Sequence, residues 1–337
     1  MQKLLTIVVP VYKVEPYIKK CLDSCLIYKT DEQGNRVLDA ERMNQLEVII
    51  VNDGTPDRSA EMSREYVKRY PQTFRQIDKE NGGHGSAWNV GLKQTTGKYL
   101  RFLDSDDWLT NLDKLMEKLS ETDADLVFTQ LYKYMVADDE FVLFPVNGML
   151  NQAFAVADFP YQANNDITVA DFQYCTYKTA LLKAYHPLFD EHIFYDDMIL
   201  FIAPQLMAKT CYICDFVLYN YFIGRAGQTM DAKVQERNRH FMIQEYEKML
   251  SFYQQHGVGK EGAPWAQHAI VSYAAQHFMP KLICLPYPQS RIEGEKLKHD
   301  LSPMTELRPR KQLKRLLKWP YWAYYLVEKI RYFKNKK

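Results

Sequence analysis

Three carboxylates, Asp104, Asp106 and Asp107, follow the apolar run Tyr99 to Leu103 inside the stretch KYLRFLDSDDW at 98–108. Like charges this close repel, so the cluster must be solvated, paired with bases, or neutralised by a cation. Hard divalent cations take oxygen ligands, and open α/β sheets bind ligands beyond the carboxyl ends of their strands. A metal carrying a phosphate fits both conditions. The alternative is structural, with Asp106 or Asp107 capping a following helix. A second acidic pair, Asp196 and Asp197, sits in FYDDMILF at 194–201. Desolvation among apolar side chains disfavours the charged carboxylate and makes it a better base. A helix N-cap is the other reading, and both hold together if Asp196 caps while Asp197 acts. Arg225, three residues before Gln228, offers a guanidinium fork for phosphate oxygens, or stands at an ordinary surface turn.

The elements that must position these groups can be read from the hydrophobic pattern. LLTIVV at 4–9 and LEVIIV at 46–51 are continuous apolar, β-branched runs, the pattern of buried parallel strands. Phe74 to Asp78 and Tyr99 to Leu103 supply two more. Helical spacing follows the first strand (Tyr17, Ile18, Cys21, Leu22, Cys25), the second (about 57–70) and the third (to Leu92), whereas residues 28–45 read as a surface loop or helix extension. Strands alternating with helices imply βαβ units and a parallel sheet, whose strand ends all face one rim. That rim collects Tyr12, Asp53, Asn81 and the 104–107 cluster. Asp53 can accept a hydrogen bond from a base or ribose, and Gly82, Gly83 and Gly85 permit close backbone approach to a ligand. The glycines lack the spacing of a dinucleotide fingerprint or a P-loop, so a tight turn into a helix is their other reading.

Composition sets the wider frame. The chain has 337 residues, 47% hydrophobic and 25% charged, enough for a large core and without a disorder signature. Its net charge of +1 is unevenly spread, because residues 308–337 carry +10 and the remainder −9. An acidic body with a basic tail suggests an anionic surface as partner and no nucleic acid. The tail interleaves Trp319, Tyr321, Trp322, Tyr324, Tyr325, Tyr332 and Phe333 with Lys and Arg, the composition of an interfacial membrane segment, which Pro320 should kink or split. A helix packed on the body is the competing reading. Six cysteines and no secretory signal fit a cytoplasmic protein, and the tail suggests peripheral attachment at the inner face of the plasma membrane; the Cys211/Cys214 pair falls in a strand without partner ligands.

VVPVYKVEPYIKKCLDSCL, VIIVNDGTPDRS and KENGGHGSAWNVGLKQTTGKYLRFLDSDDW, in this order and at this spacing, resemble the family 2 glycosyltransferases. The resemblance is close over about 4–110 and looser to about 230. It implies a GT-A α/β fold, Rossmann-like with a mostly parallel sheet, in a domain 1–230 (nucleotide-sugar half 1–110, acceptor half 111–230). A helical region 231–303 and the basic aromatic tail 304–337 follow. It implies metal-dependent, inverting transfer of a sugar from a UDP-sugar to a hydroxyl of a cell-surface glycan or lipid-linked acceptor. Pro10, Tyr12, Glu15, Asp53, Asn81 and Gly85 would line the nucleotide pocket, and Arg225 and Gln228 would belong to a loop over the diphosphate. Asp104 and Asp106 would be the DxD ligands of Mn2+ or Mg2+, and Asp197, beside Asp196, the base that takes the acceptor's proton. One departure stands out: many relatives carry Ala-Arg-Asn where this chain has Ala87, Trp88 and Asn89, so the donor-contacting arginine that the resemblance implies is missing. That departure allows a catalytically silent partner anchoring a complex at the membrane, against which the intact Asp104, Asp106 and Asp197 argue. Nucleotidyl transfer on a related fold would want a basic glycine-rich loop after the first strand, which Pro10 to Glu15 does not supply. The sugar, the linkage and whether the chain forms an oligomer are left open.

Overall fold

The computed structural model describes residues 3–161, 171–224, 228, 234, 237–304 and 311–335. A ten-stranded sheet runs through the centre. Its strands are β1 (Leu5–Val11), β4 (Leu46–Asp53), β5 (Phe74–Lys79), β6 (Tyr99–Phe102), β7 (Trp108–Leu109), β8 (Leu126–Met135), β9 (Glu140–Phe144), β10 (Ala153–Ala155), β11 (Cys175–Lys178) and β12 (Thr210–Ile223). The order is β10-β12-β8-β11-β6-β1-β4-β5, with β7 on β12 and β9 on β8. The half made of β5, β4, β1 and β6 is wholly parallel, and every residue of β1 and β4 is buried. Those two strands are the continuous apolar runs of the sequence, as expected for strands covered on both faces.

Beyond β6 the sheet becomes mixed. β11 lies antiparallel between β6 and β8, and β12 runs parallel to β8 through two register shifts. "Mostly parallel" therefore describes the first half of the sheet better than the second, where polar and aromatic alternation hid the pairing partners. Residues 28–45, expected as a loop or helix extension, form the small antiparallel hairpin β2 (Tyr28–Thr30) and β3 (Arg36–Leu38) and the short helix Ala40–Gln45. Asp106 and Asp107 lead into β7, and the next helix opens only at Leu112. The helix-cap reading of those two aspartates is thereby excluded.

Helices follow β12: Arg239–His256, Ala263–Tyr273 with its π-helical continuation Ala274–Phe278, Met279–Leu282, and Tyr287–Leu301. The basic tail is two helices, Lys311–Lys318 and Tyr321–Asn335, separated at Pro320 as its missing N–H and fixed φ dictate. Tyr321, Tyr324 and Tyr325 are buried, with the Tyr321 ring lying over Gly294 and its hydroxyl 2.7 Å from Ser290 Oγ. Three of the tail's aromatics thus serve the core. No described helix is long and apolar enough to cross a membrane.

Candidate active site

The carboxyl ends of β1, β4 and β6 open into a cavity of about 690 Å³ that also reaches the segment 192–198. Pro10, Tyr12, Asp53, Asn81, Asp104, Asp106, Asp196, Asp197 and Gln228, all singled out in the sequence, line it. Glu15 and Gly85 do not. Glu15 turns to the helix that follows β4, where its carboxylate accepts from the Arg58 N–H at 3.2 Å. Arg225 falls outside the described residues.

Asp53 ends β4 with its carboxylate buried and fully engaged. Oδ1 accepts from Lys79 Nζ (2.7 Å) and the Gly82 N–H (2.9 Å), and Oδ2 from Asn81 Nδ2 (3.0 Å) and the Gly83 N–H (2.8 Å). Four donors occupy the lone-pair positions that a carboxylate offers. Asp53 therefore shapes the glycine loop, and a base at this end of the cavity would meet a carboxylate already saturated. Gly54 lets that loop approach: a Cβ there would stand 2.9 Å from Asn81 N, on a backbone already at φ +66°.

Gly85 answers a different need. A Cβ at this position would meet Asp196 Oδ2 at 2.6 Å and the Asp190 carbonyl more closely still, so the bare backbone makes room for the acidic segment and not for a phosphate. That segment is clamped to the helix His84–Gln94. The His192 N–H donates to the Gly82 carbonyl (2.7 Å), Ser86 Oγ to Glu191 (2.9 Å) and Asn89 Nδ2 to the Phe189 carbonyl (2.7 Å), while Asn89 Oδ1 accepts from the Leu188 and Phe189 N–H groups. Tyr195, immediately before the pair, sits at φ +67°, the left-handed region where a non-glycine residue is held by its surroundings.

His84 joins the two acidic groups. Its Nε2 lies 3.1 Å from Asp104 Oδ1 and its Nδ1 3.2 Å from both oxygens of Asp196. Burial alone would lower its pKa, but Asp196 and Asp104 outweigh that and hold it well above the usual histidine value. The sequence reading passed over this histidine, although a titratable ring in the rim's glycine loop was the available signal. Trp88, one turn later, is wholly buried, stacked on Phe102 with centroids 4.2 Å apart. The position of the relatives' arginine is a core position here.

Asp104, Asp106 and Asp107 have carboxylate oxygens within 4.8 Å of one another, an all-oxygen set suited to a hard divalent cation. Asp107 is the buried member, accepting from Tyr219 Oη (2.6 Å) and the Phe222 N–H (2.7 Å), and burial followed by the charges of Asp106 and Asp104 raises its pKa well above the carboxylate range. Tyr219 Oη also accepts from the Asp104 N–H (3.2 Å), so the turn is fixed from below by β12. Asp104 and Asp106 remain on the cavity side. Asp197 faces the same space with its pKa pushed up to about 7, by burial first and the neighbouring Asp196 charge second, against the opposing pull of His84.

A parallel β/α half that ends in a carboxylate rim, continued by a mixed half with an acidic segment across one cavity, is the GT-A architecture. Residues 6–184 match the glycosyl transferase family 2 model, over half of the chain, and the protein belongs to that family. It is similar to EpsJ of Bacillus subtilis (strain 168), called an uncharacterized glycosyltransferase, with 29% identity over 289 residues covering 84% of this chain and 78% of that one. GgaB of the same organism, a minor teichoic acid biosynthesis protein, is 35% identical over 102 residues, 30% of this chain and 10% of GgaB. Among solved structures, S. aureus TarS 1–349 in complex with UDP-GlcNAc superposes with a TM-score of 0.70 at 18% identity, covering 97% of this chain and 88% of that one.

Proposed function

We propose that this glycosyltransferase moves a sugar from a UDP-sugar, with inversion, to a hydroxyl of a cell-surface glycan or its lipid-linked precursor at the inner face of the membrane. The observation that carries the reading is one cavity lined both by the aspartate rim of the parallel half and by Asp197. The UDP-GlcNAc complex of TarS, on the same fold, supports a UDP-sugar as donor, and the teichoic acid role of GgaB supports a surface polymer as product. In this reading residues 1–110 hold the donor and 111–230 the acceptor, with 231–303 and the tail as attachments.

Asp104 and Asp106 would hold Mn2+ or Mg2+, and their hard oxygen donors on the cavity side fit such an ion. When bound, the ion supplies positive charge for the diphosphate of the leaving UDP. The protein's own residues do the rest. Tyr12 and Asn81 border the nucleotide end, and Asp53 keeps the glycine loop in shape without a ligand. Asp197 takes the proton from the acceptor hydroxyl as that oxygen attacks the anomeric carbon from the face opposite the departing phosphate. Its pKa of about 7 leaves a large ionised fraction at neutral pH while keeping it basic enough for the task. Gln228, tied to the end of β12 by hydrogen bonds to the Gly224 N–H and Phe222 carbonyl, closes one side, and Arg225 is assigned to the diphosphate.

The test is UDP release from a panel of UDP-sugars with Mn2+ and no acceptor, comparing wild type with Asp106→Ala. Release from one sugar, lost on chelation and in the variant, supports the reading. No release together with no metal-dependent UDP binding overturns it in favour of a silent partner.

A further inference from the structure

The tail helix Tyr321–Asn335 has two opposed faces. Tyr321, Tyr324, Tyr325 and Glu328 are turned inward. On the other side Trp322, Leu326 and Ile330, spaced i, i+4 and i+8, are 61%, 54% and 49% exposed, and Trp319 adds a partly exposed ring just before Pro320. Large apolar side chains in one row on a helix surface ask for a partner.

Charge says which partner. Glu328 is the one acidic residue among 308–337, against eleven Lys or Arg. It is buried, accepting from Arg315 Nε at 2.6 Å and lying 3.4 Å from Arg331. The tail's only negative charge is therefore spent internally. Lys334 is exposed one turn further along the same i+4 row, and Lys314 and Lys318 are exposed on the preceding helix. A protein interface of ordinary kind is poor in lysine at its core, whereas an apolar stripe bordered by bases, with tryptophan at its edge, matches the headgroup region of an anionic bilayer.

We infer that the row Trp322, Leu326 and Ile330 is the surface by which the protein lies on an anionic lipid bilayer, the helix flat in the headgroup plane and the buried tyrosines holding it to the body. This rests on, and sharpens, the membrane-side location proposed above. The docking is rigid: the Tyr321 ring packs on Gly294, Tyr325 Oη donates to the Leu285 carbonyl (2.9 Å) and Lys298 Nζ to the Trp319 carbonyl (3.0 Å). Seating the helix thus fixes the orientation of the whole chain relative to the lipid.

The experiment is vesicle flotation of the full chain with phosphatidylglycerol/phosphatidylcholine vesicles and with phosphatidylcholine alone. Three proteins are compared: wild type, the triple variant Trp322→Ser, Leu326→Ser, Ile330→Ser, and the charge variant Lys314→Gln, Lys318→Gln, Lys334→Gln. Thermal melts confirm folding, and UDP release is followed in parallel. Wild type should float with the anionic vesicles only. The triple variant should bind at least tenfold more weakly with UDP release unchanged, and the charge variant should lose the preference for anionic lipid. The inference is overturned if wild type does not float, if the triple variant floats equally well, or if without lipid the triple variant turns a dimer into a monomer in light scattering, which would make the row a contact between copies. Flotation with neither UDP release nor metal-dependent UDP binding leaves this inference standing and removes the transferase chemistry instead.

Discussion

His84 and Trp88 stand one turn apart on the same helix with ring centroids 4.1 Å apart. The cationic group of this helix face is therefore one turn nearer the rim than Trp88, and it is anchored by Asp104 and Asp196. A residue that orients metal-binding and catalytic carboxylates typically changes affinity or activity by about 10- to 100-fold when removed. His84→Ala should weaken Mn2+-dependent UDP binding and transfer within that range. His84→Gln, whose amide retains two N–H donors, should recover part of the loss. Isothermal titration of UDP with Mn2+ reads the first effect and initial rates the second. Restoring the arginine by Trp88→Arg should instead unfold the protein, because that site is wholly buried between Phe102 and Phe189.

As the proposed base, Asp197 should set a pH profile. A base works only when deprotonated, so with its pKa pushed up to about 7 the rate should fall as pH drops through 7 and level off above it. Asp197→Asn should cost roughly 10²- to 10⁴-fold in kcat and leave UDP binding intact. A variant retaining wild-type transfer would move the role elsewhere.

Asp106→Ala should reduce Mn2+-dependent UDP affinity by roughly a hundredfold, since the cation's attraction for the diphosphate is worth several kcal/mol. UDP binding measured in EDTA should hardly differ between the variant and wild type. Equal Mn2+ responses in the two proteins would exclude Asp106 as a ligand.

Gly85→Ala tests the packing of the acidic segment. Its methyl would enter the space of Asp196 and the Asp190 carbonyl, and overpacking of this kind costs about 1–3 kcal/mol. Transfer to acceptor should fall more than UDP release does, because the displaced group belongs to the proposed acceptor side.

Glu245, fully buried with neither carboxylate oxygen hydrogen-bonded among the described residues, has its pKa raised to about 9, chiefly by burial. A carboxyl whose folded pKa exceeds its unfolded value contributes stability that is complete below pH 4.5 and lost as pH rises towards 9. Glu245→Gln removes that dependence. Its melting temperature should therefore gain on wild type between pH 5 and pH 8, and parallel melting curves at both pH values would refute a buried neutral carboxyl.

The parallel half was readable because β1 and β4 are buried on both faces and advertise it with unbroken apolar runs, while Asp53 and Asp104 follow such runs directly. The mixed half was not, since β8 and β12 pair over residues more than eighty positions apart and carry polar and aromatic side chains on half-covered faces. The residues that line the cavity were legible by type and position along the rim, but their partners were not. Nothing in the spacing of Asp53 tells that four donors would fill its carboxylate, or that Gly85 stands empty for the sake of Asp196. The tail composition foretold an amphipathic segment split at Pro320, and only packing could divide its large side chains into a buried set of tyrosines and an exposed row.

The clamp between 82–89 and 188–192 has a further consequence. Asn89, Ser86 and Gly82 hold residues about a hundred positions later by backbone and side-chain hydrogen bonds. Between these two ends β6, the 104–107 cluster and β8 belong to the sheet and its rim, whereas β9, which among the described strands pairs with β8, is in effect a cassette at the sheet's edge. Such a cassette can lengthen, shorten or be exchanged over evolutionary time while the distance between donor rim and acidic pair stays the same. One catalytic frame could thereby be fitted to many acceptors without rebuilding its chemistry.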